Sequence, residues 1–193
     1  MIINKLELKN FRNIENESLI FNDGMNVIFG SNAQGKTSIL EAIWCFTGAK
    51  SFRGSKDNEL ITFNKQQSKI KLDFFDEERD QSCIINIEKS RKAILNDVEI
   101  GSASNLAGKI YAIVFSPNDL SIIKDGPNFR RKFIDTAICQ LYPNFILIFK
   151  KYLRALDQRN KILKDLKYNP LVEEFIEDFE KEIANFGAKI IKY

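Results

Sequence analysis

The sequence predicts an α/β first lobe containing a β-hairpin subsheet, followed by an all-α helical second lobe, and three observations predict it. First, an apolar run (Met25, Val27, Ile28, Phe29) leads into Gly30-Ser31-Asn32-Ala33-Gln34-Gly35-Lys36-Thr37, and helical spacing follows at once. Second, residues 68–75 and 82–89 are two alternating runs separated by the charged stretch Asp76 to Asp80. Third, from Asn128 onward apolar residues recur at threes and fours, interrupted by Pro143 and by Asn169-Pro170. We divide the lobes at residues 1–115 and 116–193.

Taken in order, Ile2 to Leu8 alternates as a strand that ends near Asn10-Phe11-Arg12-Asn13, and a second strand covers Ser18 to Phe21 before the turn Asn22-Asp23-Gly24. The strand through Met25–Phe29 enters the glycine-rich loop. Ser38 to Phe46 has the i, i+3, i+4 pattern of a buried helix ending near Gly48. A short strand over Lys92–Leu95 meets a turn at Asn96-Asp97, and Lys109–Phe115 reads as a further strand stopped by Ser116-Pro117. The helical lobe is expected as three helices: Asn128–Leu141, Asn144–Lys167, and a third carrying Val172, Phe175, Phe179, Ile183, Phe186 and Ile190. This last helix has no stop signal before Tyr193, so we expect the sequence to be a piece of a longer protein.

Composition narrows the chemistry. The chain has 193 residues, 44% hydrophobic and 28% charged, which is ordinary for a globular protein. No run of about 18 apolar residues exists, so no membrane span is expected, nor a secretory signal at Met1-Ile2-Ile3-Asn4-Lys5. Cys45, Cys83 and Cys139 fit no zinc spacing and read as reduced thiols of a cytoplasmic protein. There is no histidine, so the commonest general base and metal ligand are missing, and no catalytic residue is assigned. The net charge of +3 is unevenly spread: from Lys124 to Lys167 eleven Lys or Arg face four Asp or Glu, while from Leu171 to Tyr193 three basic residues face six acidic ones.

Residues Gly30 to Thr37 match G-x-x-x-x-G-K-S/T in the context that gives the motif meaning, a strand before and a helix after. Backbone N–H groups of such a loop cradle phosphate oxygens, helped by the positive end of the helix. Gly30 and Gly35 allow the tight turn, Lys36 would reach the β- and γ-phosphates, and the Thr37 hydroxyl would ligate Mg²⁺. The expected ligand is therefore ATP with Mg²⁺, held by Gly30, Ser31, Asn32, Ala33, Gln34, Gly35, Lys36 and Thr37.

Four segments give this reading a family. Asn10-Phe11-Arg12-Asn13, the extended loop and helix Gly30 to Ile43, Phe115-Ser116-Pro117-Asn118-Asp119-Leu120 with Gly126-Pro127 and Arg130-Arg131-Lys132-Phe133-Ile134-Asp135, and Leu156-Asp157-Gln158-Arg159-Asn160 together resemble the RecF family. These are DNA recombination and repair ATPases related to the SMC proteins. The loop is shared with many ATPases, and the third segment is what narrows the match, which spans nearly the whole chain. The resemblance implies an ABC/SMC-like ATPase head. It places Arg12 and Asn13 where related ATPases approach the nucleotide, and Arg53 where they carry an arginine loop. Read from the residues alone, Arg12 is equally an exposed charge at a strand end, and Arg53 a solvated loop residue.

Two departures stand out. Ala33 occupies a loop position where many relatives have glycine, and a left-handed backbone there would cost about 1 kcal/mol. An apolar strand ending in a catalytic acid and an L-S-x-G-Q signature are both missing. Phe74-Phe75-Asp76-Glu77 does not supply the first, because Lys71 and Asp73 make that run alternate as an ordinary strand. The family implies ATP-driven homodimerisation of heads, binding to single- and double-stranded DNA, other recombination mediator proteins as partners, and a role in repair, replication and the SOS response. This chain alone is expected to bind ATP and hydrolyse it poorly. A protein-switching ABC-type ATPase that never meets DNA fits the loop equally, and the helical lobe reads as well as a protein-docking surface.

Overall fold

The computed structural model describes residues 1–116, 126–166 and 176–193, the Lys132 side chain apart. Of the features read from sequence, Pro117 to Leu120, Lys124, Lys167, the Asn169-Pro170 break, Val172 and Phe175 lie outside the described residues. The chain divides into two units, Met1–Phe129 and Arg130–Tyr193.

Alternating segments build the sheet of the first unit, joined by short turns except for the long connection over residues 21–67 that holds the glycine-rich loop. Its sheet holds β1 (Ile2–Phe11), β2 (Ile14–Ile20), β3 (Ser68–Phe75), β4 (Asp80–Ile87), β5 (Arg91–Leu95) and β6 (Val98–Ser102), in spatial order β2-β1-β3-β4-β5-β6, every pair antiparallel. The register sets Leu6 against Leu72, Leu8 against Ile70, Leu72 against Cys83 and Ile85 against Ala93. Because side chains alternate with period two, this one register puts all of them on the same face. They form a single buried cluster with Ile39, Ala42, Cys45 and Phe46, which belong to helix α1 (Lys36–Cys45) and its exit. Lys69 and Lys71 alternate with those apolar residues along β3, the pattern of a sheet with one covered face.

The hairpin expected at Asp76–Asp80 is present. Asp76 closes it by accepting from the backbone N–H of Glu78 and Arg79 at 3.1 and 3.0 Å. β6 was not anticipated from sequence. Asn96 and Asp97, with φ of 49° and 63°, supply the two consecutive left-handed residues that a two-residue hairpin turn needs.

Two expected strands, Met25–Phe29 and Lys109–Phe115, are not formed. A strand exists through the ladder it shares with a neighbour, and among the described residues neither segment has one. Their apolar side chains lie open to solvent: Val27 is 74% exposed, Phe29 89% and Ile113 94%.

The second unit is helical, with α2 (Pro127–Leu141, entering from the first unit), α3 (Pro143–Asp165) and α4 (Ile176–Ile190). Pro143 opens α3, where its missing N–H costs nothing. α3 and α4 run antiparallel: Arg159 pairs with Glu180 at 3.0 Å, Lys151 lies over the Phe186 ring, and Tyr193 packs against Phe145. Tyr142, Phe145, Phe149 and Tyr193 form the aromatic end of this pair. Burial raises the Asp135 carboxyl above the usual range, opposed by the charge of neighbouring Arg131. No described helix is long and apolar enough to cross a membrane.

Candidate functional site

Gly30 to Gly35 form a loop, exposed as far as Gln34 and buried at Gly35, that runs into the first turn of α1 at Lys36 and Thr37; the helix expected after the motif is formed, and the strand expected before it is not. Gly30 and Gly35 have φ of 144° and 93°, values that L side chains rarely adopt. Gly35 is restricted a second way: a Cβ there would meet Ile14 Cγ1 and Cδ1 at 3.1 Å and Asn13 Oδ1 at 3.2 Å. Ala33 takes the left-handed backbone, φ 65°, so the strain weighed from sequence is present. Ser31, Asn32 and Gln34 lie exposed along the loop.

The start of α1 is open to an anion. Its N-cap, Gly35, offers no side chain, and the first turn contains no acidic residue. The first intrahelical acceptance runs from Ile39 N–H to the Gly35 carbonyl at 3.0 Å, which leaves earlier N–H groups at the positive end of the helix. The Lys36 ammonium lies folded over the loop, donating to the carbonyls of Gly30 at 2.8 Å and Ser31 at 2.6 Å. Thr37 is exposed one residue further on. A cleft of about 540 Å³ in this unit is lined by Asp73, Asp80 and Asp97, among others, and involves none of these residues. A phosphate cradle is a surface of N–H groups and needs no deep cavity. Among the described residues no cluster of three His, Cys, Asp or Glu could hold a metal ion.

Arg12 and Asn13 reach the loop from the end of β1, by different routes. Asn13 touches it directly: its Nδ2 donates to the Ala33 carbonyl at 2.9 Å, and its Oδ1 accepts from Ser38 Oγ at 3.1 Å. Arg12 turns the other way. Its Nε and Nη2 donate to the two carboxylate oxygens of Glu41 at 2.9 and 2.7 Å, Nη1 to the Glu59 carbonyl at 2.8 Å, and Nη2 also to Ser55 Oγ. The exposed-charge reading of Arg12 fails, because its side chain is only 16% exposed. Arg53 stands half open to solvent with Nη1 3.6 Å from Glu41 Oε2.

Glu41 is the residue that sequence reasoning missed. Its carboxylate is fully buried, and it accepts from Ser51 Oγ as well as from Arg12. The signal was available: an acid at position 41 falls among Ile39, Ala42 and Trp44, inside the buried run of α1. An acid in such surroundings must have a paired cation.

The family model described as an AAA domain matches residues 5–188. The chain is similar to the "DNA replication and repair protein RecF" of Acetivibrio thermocellus, 36% identical over 193 residues, covering 99% of this chain and 52% of the relative. It is similar to the protein of that name from Lachnospira eligens, 39% identical over 196 residues, covering all of this chain and 54% of the relative. The chain thus spans about half the length of the curated relatives it matches. Among solved structures, it is similar to the recombination mediator protein RecF-ATP in the RecFOR pathway, with TM-score 0.87, 32% identity, and coverage of 99% of this chain and 52% of that one. The Smc head domain of Pyrococcus furiosus shares the fold at TM-score 0.53 and 21% identity, over 99% of this chain and 56% of that one. From residue 5 to residue 188, therefore, this chain belongs to the AAA-domain family, on its RecF branch.

Proposed function

We propose that this chain is the nucleotide-binding part of an ATPase of DNA replication and repair. The observation that carries the reading is the loop itself: two glycines at positive φ, an uncapped helix start and a lysine ammonium come together where the loop enters α1. Gly30 to Lys36 would hold the phosphates of ATP. The Thr37 hydroxyl would hold Mg²⁺, whose charge offsets that of the phosphates. Asn13 would fix the shape of the loop from below, and Arg12 would act chiefly through Glu41. The names of the relatives and the RecF-ATP structure support the same assignment.

In the whole protein, ATP binding would bring two heads together and favour DNA. The basic residues of α2 and α3, among them Arg130, Arg131, Lys150, Arg154 and Lys164, would supply sequence-independent phosphate contacts. Recombination mediator proteins would be its partners, and the lobes would divide at 115/116. Two titrations test the proposal. Mg·ATP affinity is measured for the chain and for Lys36→Ala, where loss of binding in the variant is expected. Anisotropy of labelled duplex and single-stranded DNA is then followed with and without Mg·ATP at rising salt. Affinity that tightens with Mg·ATP and falls with salt supports DNA binding. ATP binding with flat anisotropy at low salt would leave the protein-switching ATPase.

A further inference from the structure

A buried ion pair lies between the first strand and the body of α1, and its role is not explained by phosphate contact. Ser38 and Glu41 are three residues apart on α1, hence on one face of it, and both are buried. Together they grip consecutive residues of the strand end: Glu41 takes the Arg12 guanidinium through two hydrogen bonds, and Ser38 donates to Asn13. Arg12 has φ 55°, a left-handed kink that turns the chain between the two grips. The backbone N–H of Arg12 donates to the Leu60 carbonyl at 2.8 Å, so the kink is held from a third side. Asn13, fixed by this clamp, then holds the Ala33 carbonyl, at the one non-glycine residue of the loop with positive φ.

We propose that Glu41 is a positioning residue for the phosphate loop, acting through Arg12 and Asn13. The buried carboxylate orients the guanidinium, which fixes the kink and aims the Asn13 amide at the loop. That amide keeps Ala33 in its left-handed conformation and the neighbouring N–H groups in place. Glu41 touches no ligand in this scheme. The inference rests on the nucleotide-binding reading for its consequence in affinity, though not for the brace itself.

The test therefore reads the loop before it reads the ligand. Backbone ¹⁵N order parameters are measured for Asn32 to Gly35 in the chain without nucleotide, in Glu41→Gln, Asn13→Ala and the double variant, with β3 and β4 as internal reference. We expect the loop to fall from the rigid range near 0.85 to below about 0.6 in each single variant, with β3 and β4 unchanged. The double variant should go no further than the singles, because both act on one link. Arg12→Lys keeps the charge and loses the two-point grip, so it should loosen the loop too, and it covers the case in which Glu41→Gln does not fold. Affinity for Mg·ATP should fall about tenfold in parallel, the worth of one lost positioning hydrogen bond. A rigid loop in folded Glu41→Gln or in Arg12→Lys, or effects that add fully in the double variant, would overturn the proposal. If the loop loosens but the unaltered chain binds no Mg·ATP, the brace stands and the nucleotide reading falls. If Mg·ATP binds and the loop ignores Glu41, the brace falls alone.

Discussion

Two sets of apolar strand-like residues in the first unit have opposite fates. Ile70, Leu72 and Phe74 on β3 are completely buried, whereas Val27, Phe29, Ile113 and Phe115 stand mostly in solvent. Composition does not distinguish them; pairing does. β3 has β1 on one side and β4 on the other, and α1 shares the core cluster on its apolar face. Residues 25–29 and 111–115 have no ladder among the described residues. A hydrophobic run therefore states a demand for burial, and the fold meets it only where a backbone partner is within reach.

The comparison can be broken most forcefully with one residue type at two places. Phe74→Ala should cost about 3–5 kcal/mol in urea denaturation, the usual loss for a fully buried phenylalanine. Phe29→Ala, at the other extreme, should change stability by less than about 0.5 kcal/mol. A similar loss at both sites would mean that residues 25–29 are packed in solution.

Between these extremes, the two buried thiols of the core cluster, Cys45 on α1 and Cys83 on β4, report whether the covered face of the sheet is closed. Burial pushes Cys45 up to about 11 and Cys83 up to about 12. Iodoacetamide at pH 8 should therefore leave both unmodified until denaturant opens the sheet, as mass spectrometry of the alkylated chain would detect. A smaller effect is expected at the β3–β4 turn. Asp76 lies below the ordinary carboxylate range, chiefly because it accepts from the backbone N–H of Arg79 and also from that of Glu78. Its contribution to the hairpin is complete above the unfolded value near 4 and disappears as pH falls through the lower folded value. NMR titration of the Glu78 and Arg79 amides should thus give a midpoint below about 3.9. The smallest effect belongs to the open segments: Phe115→Ser should leave the unfolding midpoint in place while reducing the binding of a hydrophobic dye.

These contrasts explain what was legible in the sequence. β1, the β3–β4 hairpin, α1 and the loop Gly30 to Thr37 are specified by neighbours a few residues away, through a period of two, a period of 3.6 or a fixed motif. β6 was also written locally, in the Asn96-Asp97 turn, and was overlooked. The Arg12–Glu41 pair could not be read as a pair, since its members lie 29 residues apart and meet only once β1 and α1 pack. Only the odd position of an acid in the buried run of α1 hinted at it. For residues 25–29 and 109–115 the periodicity was read correctly as apolar, but no periodicity records whether a partner strand is at hand.

The strand order also carries a consequence for timing. β3, β4, β5 and β6 follow one another in sequence and in space, so that meander can form by successive local hairpins. β1 joins it only by pairing with β3 across the whole connection that contains the glycine-rich loop and α1. That closure gathers residues far apart in the chain and carries the larger loop entropy. The brace of Arg12, Asn13 and Glu41 likewise waits on the packing of β1 against α1, which joins residues 29 apart in the chain. We thus expect the meander to be early and the glycine-rich loop to be shaped in a late folding step, with the proposed ligand site among the last parts of this unit to form.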